Sequence, residues 1–82
     1  MYKILVLEDD ELFASTVEDF LSDEGFDVDI ASDGEECLEL NYKKNYDLYI
    51  FDINVPKING LDLLKQLRQS DDNTPTIFLT SY

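Results

Sequence analysis

Carboxylates and hydroxyls gather at three places in the chain, each directly after a short apolar run. Glu8-Asp9-Asp10 follows Ile4 to Leu7, Asp52 follows Leu48 to Phe51 with Asn54 two residues on, and Thr80-Ser81 follows Ile77 to Leu79. If the first and third runs are neighbouring strands, Glu8, Asp9 and Asp52 meet within a few ångströms. Two like charges 4 Å apart repel by about 4 kcal/mol at an effective dielectric near 20. Such a cluster takes up a proton or a cation. Oxygen donors without His or Cys select Mg²⁺ or Ca²⁺ over zinc or copper. A small protein ligand set that leaves room for water and phosphate oxygens suits Mg²⁺ better.

A carboxylate beside such a cation is also a nucleophile toward phosphorus, able to carry a phosphoryl group as an acyl phosphate. Asp52 stands alone at its strand end and is the better acceptor, while Glu8 and Asp9 are better placed as metal holders. Asn54 could lend its backbone carbonyl to the metal, and Thr80 could hydrogen-bond an arriving phosphoryl oxygen. The bland alternatives are acids favoured at a helix N-terminus for Glu8-Asp9-Asp10, and ordinary turn formers for Asp52 and Asn54.

The elements that must position these residues are legible from changes in apolar period. Ile4 to Leu7 reads as a strand buried on both faces. Phe13, Val17, Phe20 and Leu21 form one stripe of a helix over Glu11 to Glu24, with Asp10 as its cap and Gly25 at its end. Phe26 to Ala31 alternates like a strand with one wet face, as at a sheet edge. Ser32-Asp33-Gly34-Glu35 matches a capping box for a short helix to about Lys44. Leu48 to Phe51 is a second buried strand. Leu61, Leu64 and Leu67 mark a helix to about Gln69, and Thr76 to Thr80 is a fourth strand. The order β-α-β-α-β-α-β predicts a doubly wound parallel α/β sheet, whose sites lie beyond the C-terminal strand ends where the strand order reverses.

Composition agrees and excludes much else. The chain has 82 residues, enough for one domain. Six Lys and Arg against nineteen Asp and Glu give a net charge of −13, which argues against this segment gripping nucleic acid or an anionic membrane by itself. One cysteine, Cys37, and no histidine exclude an internal disulfide and nearly exclude a zinc site, consistent with a reducing cytoplasm. No segment has the length of a signal peptide or membrane span.

The chain resembles the receiver domain of bacterial two-component response regulators. The likeness rests on Lys3-Ile4-Leu5-Val6-Leu7-Glu8-Asp9-Asp10, on Asp47-Leu48-Tyr49-Ile50-Phe51-Asp52 with Asn54-Val55-Pro56 and Asn59-Gly60-Leu61, and on Pro75-Thr76-Ile77-Phe78-Leu79-Thr80-Ser81. It implies a flavodoxin-like (CheY-like) fold with strand order 2-1-3-4-5. By resemblance Asp52 is the phosphoacceptor, Glu8, Asp9, Asp52 and the Asn54 carbonyl hold Mg²⁺, and Thr80 is the switch hydroxyl. The phosphoryl donor implied is a sensor histidine kinase, and the output implied is transcription, with DNA reached only through an effector domain outside this segment.

Two departures shape the expectation. Glu8 stands where many members have Asp, and the family's Lys-bearing fifth strand has no counterpart here. Residues 1–82 therefore read as the N-terminal two-thirds of a receiver, one that phosphorylates poorly by itself. The fourth strand would be an apolar edge, covered in a homodimer or an intertwined oligomer. The competing classes are a Mg²⁺-dependent aspartyl phosphohydrolase and a non-phosphorylated interaction scaffold. The phosphohydrolases usually show Asp-x-Asp on the first strand, and here Asn54 leaves no obvious general acid.

Overall fold

The computed structural model describes residues 1–55 and 57–79. Its elements are β1 (Lys3–Leu7), α1 (Glu11–Asp23), β2 (Asp27–Ala31), α2 (Gly34–Lys43), β3 (Leu48–Asp52), α3 (Gly60–Gln69) and β4 (Thr76–Leu79). All strand pairs are parallel and the sheet order is β2-β1-β3-β4, the doubly wound arrangement expected from the element order. The order reverses between β1 and β3. β2 lies at one edge, as its alternating pattern suggested, and β4 pairs only with β3 among the described residues.

Alternate side chains of the central strands feed two cores. Leu5, Leu7, Tyr49 and Phe51 pack with Cys37 of α2 and with Leu63 and Leu67 of α3. Ile4 and Val6 face the other way, toward Val17 and Leu21 of α1. Strands sandwiched between helices need apolar residues on both faces, which is why their sequences run apolar without alternation. Cys37 is fully buried in α2, and burial pushes its thiol up to about 12.

Helix ends follow local chemistry. Asp10 caps α1 by accepting from the N–H groups of Leu12 and Phe13 at 3.1 and 3.2 Å. Gly25, at φ 93°, lets the Phe26 N–H reach the Leu21 carbonyl and its own N–H reach that of Ser22, closing a Schellman turn. Two expectations need correction. Ser32 and Glu35 do not form a capping box for α2. Asp33 is the cap, accepting from the Glu36 N–H at 2.9 Å, and Glu36 reaches back to the Ser32 N–H at 2.6 Å. Asp33 reaches the third helical N–H and so takes the cap. The inward stripe of α1 is Ala14, Val17 and Leu21, whereas Phe13 and Phe20 are exposed.

A polar cluster ties the opposite end of the sheet together. The buried Tyr49 hydroxyl donates to Asp72 and accepts from the Asn41 amide. Asp72 also accepts from the Thr74 hydroxyl at 2.6 Å and the Thr74 N–H at 3.0 Å. Burial pushes the Asp72 carboxyl up, but the hydrogen bonds from Thr74, Tyr49 and Asn41 outweigh it and leave it below its ordinary 3.8. A lowered carboxyl stabilises the fold above its unfolded pKa, and that stability is lost as pH falls through the folded value. Tyr49→Phe is expected to cost about 1–2 kcal/mol at neutral pH, short of a full charged hydrogen bond because Asp72 is partly solvated. Urea unfolding should show the gap from wild type narrowing below the ordinary Asp value. A gap that stays constant with pH would show that Asp72 is not the partner that matters.

Candidate metal centre

The register of β1 against β3 builds the site. Leu7 sits opposite Phe51, so the next residues, Glu8 and Asp52, stand side by side at the two strand ends. Glu8 is held by its N–H on the Ala31 carbonyl at 2.9 Å, and its carboxylate accepts from the Asp10 N–H at 3.0 Å. Asp52 accepts from the Asn54 N–H at 3.1 Å, a turn that starts the loop to α3. Glu8 and Asp52 are buried at 6% and 7% exposure, while Asp9 is exposed beside them.

One carboxylate oxygen from each of Glu8, Asp9 and Asp52 lies within 4.8 Å of the other two. Burial is the largest influence on Glu8 and pushes its carboxyl up. The Asp10 N–H opposes this, and the neighbouring Asp52 and Asp9 charges reinforce it. A buried acid raised by two other acids is a site that a cation relieves. The donor set is oxygen only, so it fits a hard divalent ion such as Mg²⁺.

The expected trio is therefore brought together. Asn54 lies at the rim of the site, with its N–H turned to Asp52. Thr80 lies outside the described residues, so its expected place at the end of the fourth strand is not part of this geometry. Glycine packing at the site had no signal in residue spacing. A Cβ on Gly60 would stand 2.6 Å from the Asp52 carbonyl oxygen, so Gly60 lets α3 start directly against the strand end. Asn59 caps that helix on the Asp62 N–H at 2.9 Å. Lys57, in the loop after Asp52, pairs with Glu35 and Asp33 of the α2 N-terminus.

A doubly wound parallel sheet carrying three converging acids at its switch point defines a phosphoryl- or metal-handling α/β domain. The family profile of the response regulator receiver domain matches residues 4–82, and the chain belongs to that family. DltR, a transcriptional regulatory protein of Streptococcus agalactiae, is 42% identical over 79 residues, covering 96% of this chain and 35% of the relative. The chain thus spans about a third of the length of such curated relatives. The receiver domain of Francisella response regulator 1452 superposes with a TM-score of 0.95 at 37% identity, over 99% of this chain and 67% of that one. TrrA of Thermotoga maritima, solved in complex with Mg²⁺ and BeF, gives 0.93 at 36% identity, over 100% of this chain and 71% of that one. TrrA has also been solved in complex with the histidine kinase ThkA. The chain is a signalling domain of the two-component class, as the family resemblance implied.

Proposed function

We propose that Asp52 accepts a phosphoryl group from the phosphohistidine of a sensor kinase, with Mg²⁺ held by Glu8, Asp9, Asp52 and the Asn54 carbonyl. The observation that carries this reading is the mutual approach of the three carboxylates within 4.8 Å. An Asp52 carboxylate oxygen attacks phosphorus, the phosphorus–nitrogen bond breaks, and the electron pair returns to the imidazole. The product is an acyl phosphate. When bound, Mg²⁺ neutralises charge on the transferring group. Asp52 is buried and fixed by the Asn54 N–H, which limits the orientations its carboxylate samples. Thr80 is the proposed switch hydroxyl that reads the new phosphoryl oxygens.

The kinase partner is supported by the TrrA–ThkA complex, and a transcriptional output by relatives such as DltR. Residues 1–82 correspond in this reading to the N-terminal two-thirds of a receiver, supported by their 67% coverage of the Francisella domain. A cytoplasmic setting fits, and no helix among the described residues is long and apolar enough to cross a membrane. DNA is reached only through an effector domain.

The test is treatment with acetyl phosphate and Mg²⁺, followed by intact-mass measurement. Any adduct should have the mass of one phosphoryl group, be released by hydroxylamine, and be absent in Asp52→Asn and in EDTA. An adduct that persists in Asp52→Asn would overturn the assignment. Turnover of a generic phosphomonoester would favour the phosphohydrolase instead. The outer edge of β4, with Ile77 half exposed beside it, supports a homodimer or an intertwined oligomer as a further partner. Sedimentation velocity at high concentration should then show a concentration-dependent dimer, and a strict monomer would count against it.

A further inference from the structure

The loop from Asp52 to Gly60 carries Asn54, and two consecutive residues at its far side are seated on another element. Lys57 Nζ lies 3.3 Å from Glu35 Oε2 and 3.6 Å from Asp33 Oδ2, both on the N-terminus of α2. The next residue, Ile58, fills the space above Gly34, where an added Cβ would stand 2.6 Å from the Ile58 Cβ and 3.0 Å from its carbonyl oxygen. Lys57 holds φ at 71°, a left-handed backbone that a lysine rarely adopts and that persists only where the surroundings hold it. The loop's other end is pinned by the Gly60 N–H on the Ile53 carbonyl at 3.1 Å. None of the ion pairs of Lys57 reaches Glu8, Asp9 or Asp52.

We propose that Lys57 is a positioning residue for the metal centre: by clamping the β3–α3 loop onto the first turn of α2, it holds the Asn54 backbone where a metal ligand must stand. The inference rests on the metal reading above. The charges respond as such a clamp requires. Asp33 is lowered first by the Glu36 N–H and then by Lys57, and Lys57 is raised first by its hydrogen bond to Glu35. An exposed ion pair alone is weak. Here one ammonium meets two carboxylates, and the backbone beneath it is already seated on Gly34. The effect is therefore local in geometry and modest in size.

The sign of the effect separates positioning from simple charge. Removing a cation near a cation site by long-range electrostatics alone would tighten Mg²⁺ binding. Loss of a clamp weakens it. Titration calorimetry with MgCl₂ on the full chain should show Lys57→Gln binding about two- to fivefold more weakly than wild type. Lys57→Arg should restore binding. The gap should close in about 1 M monovalent salt, where screening reaches about 3 Å. Lys57→Gly, which also relieves the left-handed backbone, should weaken binding likewise and serves if the glutamine variant does not fold. Unchanged or tighter binding in both variants would overturn the proposal. Asp9→Asn, measured alongside, keeps the two ideas apart. If it binds Mg²⁺ as wild type does, the metal reading itself fails. If it loses Mg²⁺ while the Lys57 variants do not, only the clamp fails.

Discussion

Asp9→Asn is expected to remove most of the rise in melting temperature that Mg²⁺ gives the wild-type chain. At ten times its Kd, a ligand that binds only the folded state stabilises it by about 1.4 kcal/mol, or roughly 6–11 °C for a domain of this size. Asp9 is the right member of the trio to change. Its side chain makes no hydrogen bond among the described residues and is exposed, whereas Glu8 and Asp52 are buried and each accepts a backbone N–H. Asparagine keeps the size and removes the charge. Metal affinity should fall at least tenfold, about 1.4 kcal/mol. In EDTA the variant should melt at or above wild type, because one like charge has left the neighbourhood of Glu8 and Asp52. The opposite signs with and without metal are the signature. A variant that melts lower in both conditions would mean that Asp9 serves the fold and not a cation.

Gly60→Ala is expected to damage the site through the backbone. Alanine favours helices over glycine by up to about 1 kcal/mol in a helix interior, which on its own would make the change stabilising. The new Cβ would stand 2.6 Å from the Asp52 carbonyl oxygen and 3.2 Å from its carbon. No flexible side chain is there to yield, so either α3 or the end of β3 must move. Overpacking of this kind costs about 1–3 kcal/mol. The clash should outweigh the propensity gain, lowering the melting point by roughly 4–8 °C per kcal/mol lost. Because the displaced atom belongs to Asp52, Mg²⁺ binding should weaken as well. An Ala variant as stable as wild type, with unchanged Mg²⁺ affinity, would show that the contact relaxes without touching the site. The demand here is for space. Gly25, by contrast, is required for its positive φ.

Much of this was legible in the residues themselves. The apolar runs and stripes marked all seven elements, because helix and strand periods are imposed by neighbours within a turn or two. Asp10 and Gly25 announced their caps for the same reason. Where two local solutions competed, spacing chose badly. Glu35 and Glu36 are both acids in the first turn of α2, and only the observed cap at Asp33 decides that Glu36 turns back to the Ser32 N–H and leaves Glu35 free for Lys57. Phe13 and Phe20 are larger than Ala14, yet the helix turns Ala14 inward and leaves both phenylalanines exposed.

What the chain determined alone was the kind and order of its elements and the crowding of acids at strand ends, since both depend on composition and short-range period. What only the tertiary structure decided was which strand ends meet. The register of β1 against β3 is set by packing between residues more than forty positions apart, as in Leu7 with Phe51. That pairing turns three separate acids into one site. Tertiary packing also placed Gly60 against Asp52 and Lys57 against α2, contacts for which the linear pattern carries no period.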